Sequence, residues 1–240
     1  MPRNKVMRHM LGENVGIISV RQVKTGETWQ HVAISNALSE SCYISNKTSE
    51  ISYVFPLYLY PEDHKEDIFA SSEREYNISQ ELLERFTTQW TCFQPEQLFY
   101  YVYAILHSNQ YRTRYAQYLR MDFPRIPFTD DYDLFSKLDE YGKELADIHL
   151  LKSPRLSPPL ARYQGKGSND MVESIEYDEH KCTVRINPDK YFEGITPELW
   201  NYHIGGYQVL HKYLKDRKGK ALVDPLHYCR IATALALTID

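Results

Sequence analysis

The chain of 240 residues contains no CxxC pair; its four cysteines, Cys42, Cys92, Cys182 and Cys229, lie far apart. A structural zinc site needs thiolate or imidazole ligands paired at short spacing, so the sequence makes no case for one. No apolar run reaches the ~18 residues that a membrane-spanning helix requires. No secretion signal is recognisable at the start. Scattered thiols without such a signal lead us to expect a reducing, cytoplasmic setting and no membrane partner. The sequons at Asn46-Lys47-Thr48 and Asn77-Ile78-Ser79 are then chance matches. Glycine and proline, at 10 and 12 residues, are too few for a fibrous or low-complexity chain. Positive charge is short overall: 28 Lys and Arg against 32 Asp and Glu leave a net charge of −4. That balance argues against a surface that binds nucleic acid everywhere.

Against these absences stands an excess of tyrosine, 20 residues against 9 phenylalanines. A phenol suits a ring that is half buried and half wet, as at an interface, although it also serves in ordinary cores. The charges segregate as well. Residues 62–75 hold Glu62, Asp63, Glu66, Asp67, Glu73 and Glu75 against Lys65 and Arg74. Residues 152–166 hold Lys152, Arg155, Arg162 and Lys166 with no acid. Residues 211–220 hold Lys212, Lys215, Arg217, Lys218 and Lys220 against Asp216. Alone, such clusters read as solvated faces; phosphate contact needs a local basic patch rather than a basic protein.

The first sixty residues read as strands: 15–20, 31–34 and 53–59, with Lys24-Thr25-Gly26-Glu27 turning the first two into a hairpin. Pro56 marks the third as an edge strand or a bulge. Ser79 then caps a helix with Leu82, Leu83, Phe86 and Trp90 on one face, and Pro95 starts another. After a break at Ser108-Asn109, residues 111–121 read as a basic helix, with Arg112, Arg114 and Arg120 among Tyr111, Tyr115 and Tyr118. The two prolines of Asp122-Phe123-Pro124-Arg125-Ile126-Pro127 forbid helix there. Asp130 or Asp131 caps a long helix whose stripe Leu134, Leu138, Tyr141, Leu145 and Ile148 is expected in the core.

A connector at 152–170, rich in Pro, Gly and Ser, is the natural place for an internal boundary or a mobile loop. Strands are expected again at 172–177 and 182–186, joined at Asp178-Glu179-His180, with a third at 199–204. A helix at 207–218, stopped by Gly219, and a final helix after Asp224-Pro225 burying Leu226, Ile231, Leu235 and Ile239 complete the chain. The expected fold is α+β, with mixed short strands flanking a central helical segment and helices at the C-terminus. We expect a single module, divided into a β-rich part (1–62), a helical part (77–151), a linker (152–170) and a β-hairpin plus helical part (171–240).

Catalytic patterns are missing. Asn187-Pro188-Asp189-Lys190 superficially resembles the motif with which DNA methyltransferases hold a flipped base, but lacks its second proline and aromatic, and reads as a turn. Gly165-Lys166-Gly167-Ser168 lacks the spacing of a phosphate loop. His203 and His211 form no paired metal motif, and His107, His149 and His227 stand alone. Asp178, Glu179 and Lys181 share one turn, a weak match to a nuclease.

Three stretches together carry a resemblance. Residues 101–128 (YVYAILHSNQYRTRYAQYLRMDFPRIPF), 134–151 (ending ADIHLL) and 202–220 (YHIGGYQVLHKYLKDRKGK) follow one another in order, preceded by VMRHM and NVGIISVRQ near the start. This pattern resembles the C-terminal target-recognition part of type ISP restriction-modification enzymes. The resemblance implies a chain that reads double-stranded DNA without catalysing a reaction, within a longer polypeptide whose start precedes Met1. That parent would be an adenine-specific methyltransferase and endonuclease using S-adenosylmethionine, ATP and Mg, and its methyltransferase domain would be the neighbour of this part. No cofactor is expected in the chain itself.

Phosphate and base contacts need Arg, Lys, Asn or Gln presented at a groove. Within the resemblance, the expected DNA-binding residues are Arg21, Lys24, Arg112, Arg114, Arg120, Arg125, Arg162, Lys166, Lys215, Arg217, Lys218 and Lys220. Base contacts are expected from loops and strand tips: residues 24–30, Asn169 and the turn at His180. Pro124 and Pro127 are expected to be structural, and Arg125 to face either DNA or a carboxylate. Two other readings stay open: a protein-interaction or scaffold domain, favoured by the tyrosines and the net charge, and, more remotely, a degenerate hydrolase.

Overall fold

A computed structural model describes residues 4–24, 28–45, 50–61 and 74–239. The turn residues 25–27, the first sequon and most of the acidic run at 62–75 therefore lie outside the described residues. The chain divides into two compact units, Met1–Ala146 and Asp147–Asp240.

The first unit starts with a short helix, α1 (Asn4–Met7), followed by β1 (Gly16–Val20), β2 (Val32–Ser35) and β3 (Ser52–Pro56). All five residues of β1 are buried, because it lies between β2 and β3 and pairs with both antiparallel. The expected hairpin pairing is present. Pro56 ends the edge strand β3 opposite Gly16, where its missing N–H removes no ladder bond. The single strand expected at 53–59 is in fact two. The chain breaks at Leu57, and β4 (Tyr58–Leu59) pairs instead with β5 (Glu75–Tyr76). Asn14 fixes the break: its Nδ2 donates to the carbonyls of His9 and Tyr58, and its Oδ1 accepts from the Tyr58 N–H.

Local capping chemistry sets the helices. The Ser79 hydroxyl accepts from Leu82 N–H ahead of α2 (Gln80–Gln89). Gln94 and Gln97 form a reciprocal box at the start of α3 (Pro95–His107), with Pro95 in the first turn. Ser108 ends α3 and caps α4 (Asn109–Arg114). The basic helix expected at 111–121 is shorter than that: α4 stops at Arg114 and only a 3-10 turn follows, at Tyr118–Arg120. Asp131 caps α5 (Tyr132–His149), accepting from the N–H groups of Asp133 and Leu134.

The core of this unit is aromatic, with Phe86, Trp90 and Tyr101 gathered around a fully buried Phe135. That arrangement overturns part of the expected stripe on α5, of which Ile148 is buried and Leu138 and Leu145 are half-buried. Leu134 is 47% and Tyr141 62% exposed, while Phe135, Gly142 and Ala146 face inward. A Cβ on Gly142 would lie 1.8 Å from the Tyr100 carbonyl oxygen of α3, so the two helices meet where there is no side chain. An apolar stripe records hydrophobicity, whereas the contact here needs small size.

In the second unit, β6 (Arg162–Gly165), β7 (Glu176–Asp178), β8 (Thr183–Arg185) and β9 (Lys190–Glu193) form an antiparallel sheet in the order β6-β9-β8-β7. The stretch expected as a linker thus supplies an edge strand. α6 (Pro197–Trp200) occupies part of the strand expected at 199–204, because Thr196 caps it and Pro197 opens it. Only His203 and Ile204 are extended (β10), and they turn at Gly205-Gly206 into β11 (Tyr207–Gln208).

The helix expected at 207–218 is α7 (Val209–Lys215), and α8 (Pro225–Ile239) closes the chain behind Asp224. One face of the sheet packs on α7 and α8 through Val184, Phe192, Leu210, Leu214, Tyr228 and Leu235. Leu226, expected inside, is 44% exposed; Tyr228, Cys229 and Ala232 take the inward positions of α8. Both units combine helices with small antiparallel sheets, the α+β class read from the sequence.

Candidate nucleic-acid interface

In the four-stranded sheet, side chains alternate between faces. Tyr163, Tyr177, Val184 and Phe192 point to the core, which leaves Arg162, Gln164, Glu176, Asp178, Arg185 and Glu193 on the other face. The register puts the end of β6 beside the start of β9, through Gly165 and Lys190. From this end of the sheet a loop leaves at Gly165, whose φ of +126° excludes a side chain, as does the 1.9 Å at which a Cβ would meet the Asp189 carbonyl oxygen.

Residues 165–169 are all exposed, yet the base of the loop is tied down. Asn187, 1% exposed, donates to the carbonyls of Asn169 (3.0 Å) and Met171 (2.9 Å), and accepts from the N–H groups of Asp189 and Lys190. All the amide's main hydrogen-bonding capacity is thereby used in the interior, as a buried polar group requires. The Tyr163 hydroxyl donates to Asp170, and Lys190 Nζ stands 3.7 Å from the same carboxylate. Burial first, and then Asp170, push the Tyr163 hydroxyl pKa well upward, so the phenol keeps its proton.

A second exposed loop lies against the first. Val172 N–H donates to the Lys220 carbonyl, Gly219 N–H to Val172, and Leu222 N–H to Asp170. These backbone bonds bring Lys166, Lys218 and Lys220, all exposed, into one neighbourhood of the second unit.

The other expected cations of this unit are placed differently. Lys215 is exposed at the end of α7. Arg217 folds back over the Tyr213 ring at 3.6 Å and donates to the Tyr213 carbonyl. Arg162 lies in the sheet row away from the loop, 4.0 Å from Glu193. At the opposite hairpin, Asp178 accepts from Lys181 N–H and sits 3.4 Å from its Nζ. The backbone bond from Lys181 lowers the Asp178 pKa, as in an ordinary Asx turn.

In the first unit the expected residues divide into two sorts. Arg112 is turned inward: its Nε donates to the Leu106 carbonyl at 2.6 Å, and its guanidinium lies 5.6 Å from the Trp29 ring. Arg120 is half-buried. Arg21 pairs with Asp122 at 2.9 Å, and that bond holds the Asp122 pKa below its ordinary value. Lys24, Arg114 and Arg125 are exposed.

Lys24 opens the segment expected to touch bases; its backbone N–H reaches Glu50, which faces His31 in a fully buried pair at 3.4 Å. Arg125 lines a cleft of about 630 Å3 with Tyr111, Tyr115, Tyr118 and Met121. The tyrosines of this region work as props. Tyr101 donates to the Pro127 carbonyl and Tyr111 to that of Arg125, pinning the extended segment from both sides. Part of the tyrosine excess thus serves internal contacts, while Tyr118 and Tyr141 stay exposed.

Among the described residues, no group of three His, Cys, Asp or Glu side chains is placed to hold a metal ion, and no helix is long and apolar enough to cross a membrane. Sequence reasoning missed Asn187, which it read only as part of a turn, and Arg185, whose alternation with Val184 in β8 was the available signal.

The family model described as the type ISP C-terminal specificity domain matches residues 1–233. The chain belongs to this family. No curated protein sequence matches it.

Three solved structures share the fold of this specificity domain. One is the ATP-dependent type ISP restriction-modification enzyme LlaBIII bound to DNA, with a TM-score of 0.69 and 23% identity over 95% of this chain and 15% of that one. Another is the DrdV–DNA complex, with a TM-score of 0.72 and 21% identity over 98% of this chain and 24% of that one. The third is a nuclease-deletion mutant of the type ISP enzyme LlaGI in complex with a DNA substrate mimic, with a TM-score of 0.63 and 20% identity over 95% and 17% of the two chains. The specificity domain therefore spans between 15% and 24% of the length of the proteins it matches.

Proposed function

We propose that this specificity domain recognises a particular sequence in double-stranded DNA and catalyses nothing itself. The observation that carries the reading is the exposed trio Lys166, Lys218 and Lys220, held on two loops laced by backbone hydrogen bonds, in a chain of this family. Ammonium groups on a rigid base suit phosphate oxygens, and phosphate contacts set position without reading sequence. Lys24, Arg114, Arg125 and Lys215 are further exposed candidates for the backbone. Arg112 and Arg217 are turned to internal partners and serve the fold.

The whole enzyme would be an adenine-specific methyltransferase and endonuclease acting in the cytoplasm. Its S-adenosylmethionine, ATP and Mg would be used by parts outside this chain, with the methyltransferase part as the neighbour of the specificity domain. The test is retention of a randomised duplex pool at ~50 and ~200 mM salt, followed by sequencing. An enriched motif with affinity falling steeply as salt rises is expected. Retention of no motif by the folded wild-type chain overturns the reading.

A further inference from the structure

The register of the second sheet aligns four side chains in one row across its outer face. Gln164 lies opposite Tyr191, Tyr191 opposite Arg185, and Arg185 opposite Glu176. Arg185 stands out among the arginines of this face. It is exposed, yet its Nη1 donates to the Pro188 carbonyl at 2.7 Å and its guanidinium rests 5.6 Å from the Tyr191 ring. The guanidinium is fixed on two sides, and neither contact is with a carboxylate. Arg162, by contrast, faces Glu193, and the Gln164 amide donates to the same Glu193.

A planar fork held still, with its remaining N–H edge turned to solvent, is the geometry that reads the O6 and N7 of guanine in the major groove. At the edge of the sheet β8 and β7 form an antiparallel pair, and a two-stranded ribbon is a shape that the major groove admits. Glu176, directly across from Arg185, distinguishes this row from a phosphate contact. A carboxylate repels the backbone but accepts from the exocyclic amino group of a base. Along the ribbon a groove of about 440 Å3 is lined by Glu176, Asp178, Lys181, Thr183 and Arg185. The cations that would hold the phosphates lie at the same end of the sheet, where the loop carrying Lys166 leaves β6 next to the row.

We propose that Arg185 is a specificity-determining residue that reads a guanine in the major groove, with Glu176 beside it turning the row toward base edges. This rests on the reading of the chain as a DNA-recognition domain.

The experiment compares the full wild-type chain with Arg185→Gln and Arg185→Lys. Each is measured against the selected site, every single-base-pair variant of it, and an unrelated duplex. We expect both variants to lose on the order of ten- to a hundred-fold in affinity for the selected site. The loss should flatten preference at one G·C pair while the other positions and the unrelated duplex are unaffected. Arg185→Lys keeps the charge but not the fork, so it should not rescue. Replacing that guanine by 7-deazaguanine should weaken the wild-type chain alone, a readout that needs no mutant to fold. Unchanged preference at every position, or an equal loss on all duplexes, overturns the role of Arg185 and leaves DNA recognition standing. A wild-type chain that selects no motif overturns both.

Discussion

The Tyr111 hydroxyl donates to the backbone carbonyl of Arg125 at 2.8 Å, across fourteen residues of chain. One phenol thereby holds the segment Asp122–Pro127 in place while leaving the Arg125 side chain in solvent. Burial, and then the neighbouring Tyr115, push the Tyr111 pKa up to about 12, so the proton of this bond is retained at neutral pH. Tyr111→Phe should lower stability by about 1 kcal/mol, read as a shift in urea midpoint, and should raise protease sensitivity at the 122–127 segment first. An unshifted midpoint would show that the bond adds nothing beyond its competition with water.

Gly142→Ala tests the meeting of α3 and α5. In an isolated helix this change stabilises by roughly 1 kcal/mol. Here the added methyl would meet the Tyr100 carbonyl at 1.8 Å, which is backbone and has no rotamer to change. The expected result is a net loss of about 2 kcal/mol or more, because the helices must separate. A stabilised variant would mean that the helix pair yields easily.

Asn187 lends itself to a stability measurement. Asn187→Ala removes two donated and two accepted hydrogen bonds beneath the loop at 165–171. Stability should fall by roughly 2–3 kcal/mol, and amide hydrogen exchange should quicken at Asp189 and Lys190, whose N–H groups lose their acceptor.

Lys166→Ala and Lys218→Ala address phosphate contact. Each should weaken binding to all duplexes alike and reduce the slope of log K against log salt by about 1. Arg217→Ala should reduce the slope less, since its guanidinium is stacked on Tyr213. Equal slopes in wild type and both lysine variants would remove the two loops from the interface.

The pH dependence of stability should show a Glu96 signature. Burial alone raises the Glu96 pKa, but hydrogen bonds from Tyr76, from its own backbone and from Tyr58 outweigh it, and the net pKa lies below the ordinary value of 4.5. A depressed folded pKa gives stability that is present above pH 4.5 and is lost as pH falls toward the folded value. Burial, followed by the bond to Glu96, pushes Tyr58 and Tyr76 up to about 12 from 10.0. Their contribution is intact below pH 10.0 and is lost as pH rises to about 12. Urea midpoints taken stepwise in pH should fall on both limbs, and Glu96→Gln should flatten the acid one.

What the sequence determined by itself is whatever near neighbours decide. Ser79 and Asp131 start helices where they stand, because a cap bonds N–H groups two or three residues away, and Pro95 does so because its ring presets a helical φ. Pro124 and Pro127 keep their segment extended for an equally local steric reason. The ordered motifs from residue 101 to 220 were enough to indicate the family.

Tertiary structure decided everything that depends on which distant segment returns. β6 was hidden in a stretch rich in Pro, Gly and Ser because an edge strand needs a partner more than it needs apolar residues, and that partner, β9, begins 25 residues after β6 ends. The stripe on α5 misled because Gly142 contributes to the contact by what it lacks. Among the arginines, sequence could count charges but could not tell the inward-turned Arg112 from the exposed, braced Arg185. The difference lies in carbonyl oxygens, those of Leu106 and Pro188, which every residue carries and only the folded backbone aims.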